Sequence, residues 1–449
     1  MTSITEPQKT VPIIQDVDVC VIGGSCTGVF AAVRAARLGA DVAIVERQNC
    51  FGGMATAGLV NIWHSILDQG QHQQIIAGMT VEMIERLKAR DALGYVGKND
   101  SCFRFNSEEL KIELDQIVQK HGITPYLHTQ FAAPYVDGGE LKGVLIENKD
   151  GRRAITARVF IDATGDGDLA RRLGCKSYVD ESLQPPTTCC KMYGMDTLGD
   201  WDWEKAVTEH GPEFGLEDDW GWRCQIPGLP GIDMHADTHV FDVNTAKAAD
   251  LTHAEIEGRR KIRAIIDVIR KYGPEGNTVA LADLAASIGI READRVRARY
   301  QVTGDDLLQG TAFGDAIAYG SYPVDIHHSD GPGITFRFLN GVERTIPGRG
   351  LPAQRSRWRE ETESNPTYYQ VPYRSLVPGT FPNLLLAGRM LDADKVAFSA
   401  IRVMVNMNQT GEAAGVAAWC ALDAGVAVTD IDTDRLRAAM RDGGSIIFD

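Results

Sequence analysis

In the run Tyr322-Pro323-Val324-Asp325-Ile326-His327-His328, an aspartate stands two residues before a histidine. On a strand, residues i and i+2 share a face, so Asp325 and His327 can point the same way. A carboxylate beside an imidazole can orient it and steady its charged form, which suits acid–base work near neutral pH. The rival reading is a structural histidine, hydrogen-bonded where two domains meet. His64, with Asp68 shortly after it, is a second acid–base candidate. Arginines offer another chemistry. They cluster at Arg355, Arg357 and Arg359 and stand singly at Arg299, Arg337, Arg374 and Arg389. A guanidinium grips a carboxylate through two parallel hydrogen bonds, so such positions suit an anionic organic substrate, or else are solvated surface. Arg374 joins His327, Asp325 and His64 as a catalytic candidate. Tyr368, Tyr369 and Tyr373 either line a pocket or pack.

These groups need a scaffold, and the N-terminal 60 residues supply its first part. Residues 17–22 are β-formers and read as a buried strand. A turn follows, Gly23-Gly24-Ser25-Cys26-Thr27-Gly28, and then an Ala-rich helix from Val29 to Leu38 that ends at Gly39. Residues 41–46 form a second short strand ending in Glu46. Gly23 permits the tight turn and Gly28 lets helix and strand pack closely. The helix N-terminus then offers free N–H groups to a dinucleotide pyrophosphate. Ser25 stands where the middle glycine of G-x-G-x-x-G is expected, so the motif leans on its context. Glu46, 18 residues after Gly28, can bind ribose hydroxyls and would repel a 2′-phosphate, which disfavours NADP.

Farther on, residues 72–90 and 107–120 have helical periodicity, and 123–163 read as short strands with turns at 137–139 and 150–151. Residues 159–163 are a strand running into Thr164-Gly165-Asp166. Hydrophobic periodicity fades between 185 and 235. Thr252 with Glu255 suggests a capping box for a helix to Tyr272. Residues 295–345 read as strands and loops, 384–387 as a buried strand, and 400–424 as an Ala/Gly-rich helix. The expected fold is α/β: a Rossmann-type nucleotide-binding domain with a parallel sheet, into which a mixed α+β substrate domain is inserted. Its parts are 1–175 and 346–425, with the insert at 176–345 and a tail at 426–449.

Three further blocks narrow the cofactor. After Glu46 come Arg47-Gln48-Asn49-Cys50-Phe51-Gly52-Gly53-Met54-Ala55-Thr56. A strand ends in Asp162-Ala163-Thr164-Gly165-Asp166. Another reads Asn383-Leu384-Leu385-Leu386-Ala387-Gly388-Arg389, with Asp392 beyond it. In this order the blocks resemble FAD-dependent oxidoreductases of the glutathione-reductase-like superfamily, related to the fumarate reductase flavoproteins. The Tyr322–His327 run and Val371-Pro372-Tyr373-Arg374-Ser375-Leu376 carry the same resemblance. It covers most of the chain and is weakest at 180–250. It implies FAD as cofactor. It assigns FAD contacts to Gly23, Ser25, Cys26, Thr27, Gly28, Glu46, Arg47, Gly52, Gly53, Met54, Ala55 and Thr56. Ala163, Thr164, Gly165, Gly388, Arg389, Asp392 and Asn406 complete the set. The helix from Asn406 to Gly415 would turn its positive end toward the flavin. His64 is then either an acid–base group or a point of covalent flavin attachment.

The resemblance also excludes. Ala55 and Thr56 stand where disulfide reductases carry a redox cysteine pair. No second complete G-x-G-x-x-G marks an NAD(P)H domain. Ala387-Gly388-Arg389 differs from the Gly-Asp-Ala-Ala-His pattern of aromatic hydroxylases. The expected activity is hydride transfer between flavin N5 and a small polar or anionic metabolite. A hydroxylase and an electron-transfer subunit are the alternatives.

Composition fits a two-domain globular protein: 449 residues, 44% hydrophobic and 24% charged. A net charge of −15 repels nucleic acid and anionic lipid, so neither is an expected partner. The first ten residues lack a basic and then apolar signal, which points to the cytoplasm. No apolar run approaches the length of a membrane span. None of the nine cysteines forms a C-x-x-C pair, so no metal site is expected. Adjacent Cys189 and Cys190 read as buried thiols. A homo-oligomer is compatible with the sequence, which leaves self-association open.

Overall fold

The computed structural model describes residues 2–97 and 102–449. Its centre is a seven-stranded sheet. The strands Thr124–Tyr126, Val42–Val45, Ile13–Ile22, Gly151–Asp162 and Leu384–Leu386 lie side by side and are all parallel. Both faces are covered, which explains why Val42–Val45 and Leu384–Leu386 are buried along their whole length. The strand Gly151–Asp162 is the hub. One edge pairs with the first strand. On the other, its beginning pairs with the antiparallel hairpin Gln130–Asp137/Glu140–Asn148 and its end with Leu384–Leu386.

The first helix, Cys26–Arg37, starts at Ser25, whose hydroxyl accepts from the Gly28 N–H. A Cβ on Gly28 would lie 1.9 Å from the Gly23 carbonyl oxygen, so glycine is needed for the turn and helix to touch. The helix Met404–Ala424 crosses it at equally close range. A Cβ on Gly411 or Gly415 would lie 2.1 Å from the backbone oxygens of Thr27 and Ala31. The Ala/Gly richness of this segment is therefore a packing requirement, and it draws the helix's N-terminal turn to the same end of the sheet.

The remaining chain builds smaller sheets over the carboxyl ends of the parallel strands. One joins Cys190–Tyr193, Trp222–Gln225, Ile232–Ala236 and Ala280–Leu284, backed by the long helix Ala248–Tyr272. Another is the meander Val324–His327, Ile334–Arg337, Val342–Ile346 and Gln354–Arg357.

Several local expectations are corrected. The helix expected over 72–90 is Met79–Lys88, because the Asp68 carboxylate takes the amides of His72 and Gln73 and Gly78 enters the helix at φ +66°. Thr252 and Glu255 do not cap: the helix begins at Ala248, Thr252 bonds back to the Ala248 carbonyl, and Glu255 takes the Ile288 amide. The helix expected over 400–424 is two, Lys395–Ile401 capped by Asp394 and Met404–Ala424. A helix, Gly304–Gln309, interrupts the expected strands and loops of 295–345, with Thr303 and Asp306 forming a capping box. The meander crosses residue 345, since Val342 pairs with Arg357. Residues 426–449 include a docked helix, Thr433–Asp442, held by Arg34 on the carbonyls of Ala439, Met440 and Gly443. No helix among the described residues is long and apolar enough to cross a membrane.

Candidate functional site

Two cavities lie at the carboxyl end of the parallel sheet, where open α/β folds place their ligands. The first is a groove open to solvent. The turn after the first strand contributes Gly23, Ser25, Cys26 and Thr27 to its wall. Glu46, Arg47 and Gln48 follow from the end of the second strand, and Gly52, Gly53 and Met54 from the next turn. Ala163, Thr164, Gly165 and Asp166 come from the end of the hub strand, and Gly388 and Arg389 from the end of Leu384–Leu386. Four separate sequence blocks thus meet because their strands are parallel neighbours.

Local chemistry shapes this wall. The Glu46 carboxylate is buried and accepts the amides of Gly24 at 2.6 Å and Gln48 at 2.8 Å, tying the first turn to the segment after the second strand. Gly52 and Gly53 adopt φ of +109° and +56°, and a Cβ on Gly53 would come within 2.8 Å of Ser25 Cβ. Residues 26 and 27 are first-turn positions whose amides have no acceptor within their helix. Three buried polar atoms on the groove also lack partners: Arg389 Nη1, Asn408 Oδ1 and Arg402 Nε. Arg389 is held in place by Asp166. Met404, Met407 and Asn408, at the start of the helix Met404–Ala424, close the end of the groove.

The second cavity abuts the first and shares five wall residues with it: Met54, Ile290, Arg291, Arg402 and Met404. His64, Tyr322, Asp325 and His327 line it, with Trp220, Trp222, Ile334 and Phe336 as apolar walls. Asp325 and His327 share a face of their strand, as their spacing requires, and Asp325 Oδ1 lies 3.4 Å from His327 Nε2. Asp325 Oδ2 accepts from the Tyr322 hydroxyl at 2.7 Å and from Arg402 at 3.2 Å. His64 packs against the Tyr322 ring, 4.1 Å between centroids.

Burial and positive charge set the protonation states. Burial, with Arg402 nearby, pulls His64 down to about 4. Burial, with Arg291, His239 and Arg402, pulls His327 well below the usual imidazole range. Both rings are neutral at pH 7 and able to accept a proton. Burial and then the Asp325 carboxylate push the Tyr322 hydroxyl well above its usual value. Burial lowers Arg291 to about 10, which leaves it charged.

Other expected residues fall elsewhere. Arg374 pairs with Asp315 at 3.1 Å and covers the rings of Tyr300 and Phe313, outside both cavities. Asp392 takes the Tyr178 hydroxyl, the Ala298 amide and Arg297, and so braces the segment 295–298. Asn406 bonds the Tyr369 hydroxyl and the Ala400 carbonyl within the core. Thr56 ties its own turn through the Phe51 carbonyl, Ala55 is buried beneath Ser107, and Gly28 is a packing contact. Arg355, Arg357 and Arg359 lie along or beside the exposed strand Gln354–Arg357, and Tyr369 and Tyr373 are core residues. The sequence reading missed Arg291, Arg402, Asp219 and His239. The last two sit in the stretch where resemblance was weakest, yet the alternation His235-x-Asp237-x-His239 was a visible signal of buried acid–base chemistry.

A groove of helix N-terminus, paired glycines and buried acid beside a chamber of titratable groups defines a dinucleotide-dependent redox fold. Residues 18–440 match the family of FAD dependent oxidoreductases, and the chain belongs to that family; it is an enzyme and its cofactor is FAD. None of the curated proteins matches the sequence. Among solved structures, a geranylgeranyl bacteriochlorophyll reductase-like protein from Thermoplasma acidophilum is similar at 12% identity and a TM-score of 0.46, over 95% of this chain and 83% of that one. A flavoprotein/dehydrogenase from Cytophaga hutchinsonii is similar at 14% identity and 0.42, over 95% and 83%. A p-nitrophenol 4-monooxygenase from Pseudomonas putida DLL-E4 is similar at 11% identity and 0.41, over 96% and 84%.

The groove fits this cofactor. Free first-turn amides suit a pyrophosphate. The orphaned donors on Arg389 and Arg402 and the orphaned Asn408 carbonyl suit the polar edges of a bound dinucleotide.

Proposed function

We propose that this enzyme transfers a hydride between FAD and a small polar or anionic organic molecule held in the chamber. The observation that carries the proposal is the common wall: a chamber of neutral acid–base groups opens against the groove through Met54, Ile290, Arg291, Arg402 and Met404. Residues 23–27 would hold the pyrophosphate, Glu46 the adenosine ribose, and residues 52–54, 163–165, 388–389 and the turn at Met404 the rest of the cofactor. Bound there, FAD supplies two-electron redox chemistry at its ring.

The chain's own residues do the rest. Arg291 and Arg402 present two cations to one chamber, and a carboxylate or other anionic group on the substrate would neutralise them. Arg402 is paired with Asp325, whereas Arg291 is held through Nη1 by the Pro185 carbonyl and the Thr187 hydroxyl, with no carboxylate paired to it among the described residues, so Arg402 positions and Arg291 binds. His327 Nε2 or His64 would take or return the substrate proton. Trp220, Trp222, Ile334 and Phe336 exclude water and strengthen each charge interaction inside.

The test is anaerobic reduction of the flavin, followed by its visible absorbance, across a panel of hydroxy acids, amino acids and neutral polyols. Rapid bleaching by anionic members supports the proposal. Bleaching by none of them, together with no reoxidation of the reduced enzyme by the matching carbonyl compounds, would refute it.

A further inference from the structure

Behind His327, outside the chamber lining, stand two buried residues that the proposed reaction does not use. Asp219 Oδ1 lies 2.5 Å from His239 Nδ1 and also takes the Trp220 amide at 2.7 Å, while Oδ2 takes the His239 amide at 2.6 Å. His239 Nε2 lies 2.9 Å from His327 Nδ1. Asp219, His239 and His327 are only 6%, 2% and 4% exposed. Burial alone would raise the Asp219 carboxyl, but His239 and the donors around it hold it below the usual range.

The direction of each hydrogen bond follows from what the atoms can donate. An ionised carboxylate only accepts, so His239 Nδ1 carries hydrogen. Neutral His239 then has a bare Nε2, which must accept from His327 Nδ1–H. That leaves His327 Nε2 bare. It faces Asp325 Oδ1 at 3.4 Å, and this buried oxygen has no hydrogen-bond partner. Two acceptors stand opposite one another, and a donor hydrogen placed between them would serve both.

We propose that Asp219 and His239 are positioning residues that hold His327 in its Nδ1–H tautomer, so that Nε2, with Asp325 Oδ1 beside it, takes the proton of a substrate hydroxyl. This rests on the reading in the preceding section and narrows it to hydroxyl-bearing molecules, an anionic hydroxy acid above all. The substrate O–H bond breaks with its electron pair left on oxygen, and an N–H bond forms at His327 Nε2. The Nδ1 proton passes to His239 Nε2, so the positive charge comes to rest beside the Asp219 carboxylate. Without that relay it would stay near Arg291, Arg402 and His328, which already raise the positive potential there. The electrons of the oxidation leave separately with the carbon-bound hydrogen, to FAD as hydride acceptor. Besides these groups, His327 faces the Trp220 ring, and the Asp325 beside it takes the Tyr322 hydroxyl.

The test is nitrogen-15 NMR of histidine-labelled holoenzyme, with His327 assigned by the signals that His327→Gln removes. The expected spectrum at neutral pH has a protonated Nδ1 and a bare Nε2 on His327. His239→Phe deletes the acceptor, and the two signals should then average as the tautomers interconvert. Asp219→Asn should lower kcat by about 10²-fold with KM little changed. It should also move the acid limb of the pH profile to lower pH, because His239 holds a positive charge less well without its carboxylate. Asp219→Glu should restore that limb. FAD retention in each variant, read from the visible spectrum, separates a local effect from collapse. A bare Nδ1 in the wild-type enzyme overturns the proposal even if every variant misfolds, and so does a pH profile unmoved by Asp219→Asn. A fixed tautomer in an enzyme that hydroxyl compounds never reduce would overturn the substrate assignment while leaving the relay in place.

Discussion

Replacing Glu46 with alanine should loosen FAD by about 2 kcal/mol, roughly 30-fold in Kd. The figure comes from the two amides the carboxylate holds, Gly24 at 2.6 Å and Gln48 at 2.8 Å. Each hydrogen bond to a charged group contributes about 1.5–3 kcal/mol net, which bounds the loss at about 3–6 kcal/mol. Water entering the gap would recover part of this, since Gln48 lines the groove. The turn at 23–25 and the segment 46–48 would then be free to part, and the groove they form would lose its fixed width. Glu46→Gln should lose less, because its amide keeps one acceptor for one of the two N–H groups. The assay is quenching of flavin fluorescence as FAD is titrated into the apoprotein, paired with thermal unfolding with and without FAD. FAD bound by Glu46→Ala as tightly as by the wild type would refute the reasoning. Weaker binding with a fall in apoprotein stability as large as the loss in affinity would show that the effect is not specific to the cofactor.

Other expectations follow from the same geometry. Gly28→Ala forces a Cβ to within 1.9 Å of the Gly23 oxygen and should cost about 1–3 kcal/mol in urea unfolding, with FAD lost in parallel. Arg374→Ala breaks a half-exposed pair with Asp315 and should leave kcat and KM near wild type, with a stability change of about 0–1 kcal/mol. His64, held near 4 against an unfolded value of 6.5, gives stability that is fully present above pH 6.5 and lost as pH falls toward 4; a His64→Phe variant should show a flatter acid limb in its melting temperature. Arg291→Ala should raise KM for an anionic substrate far more than it lowers kcat, and steady-state kinetics on any substrate from the anaerobic screen will read this directly.

The nucleotide half of the protein was legible because its signals are local. Gly23, Glu46, Gly165 and Gly388 each sit at or just past a strand end, where a turn demands a particular residue, and parallel pairing then gathers strand ends on one edge. Asp325 and His327 were legible for a related reason, a period of two on one strand. Asp392 and Asn406 were misjudged because order along the chain does not say which way a polar side chain points. Both turned inward: Asp392 accepts from the Tyr178 hydroxyl and the Ala298 amide, whereas Asn406 donates its side-chain N–H to the Tyr369 hydroxyl oxygen. Arg291 and Arg402 carried no local mark at all. Each reaches the chamber from an element whose neighbours are distant in sequence, and only the tertiary fold brings them within reach of Asp325 and His327. The insert was hardest, since its sheet is assembled from strands at 190, 222, 232 and 280 with no regular spacing.

The divided edge of the strand Gly151–Asp162 has a consequence for synthesis on the ribosome. When Asp162 emerges, the first strand and the hairpin can already pair with it, but residues 160–162 still lack the neighbour that comes from Leu384–Leu386. At about 5–20 residues per second, the intervening stretch of roughly 220 residues takes about 10–45 s to translate. For that interval a short apolar edge with open hydrogen-bonding groups is bare in the nascent chain. A product truncated before residue 384 should therefore aggregate more readily than the full chain, a consequence of the order in which the sheet's strands leave the ribosome.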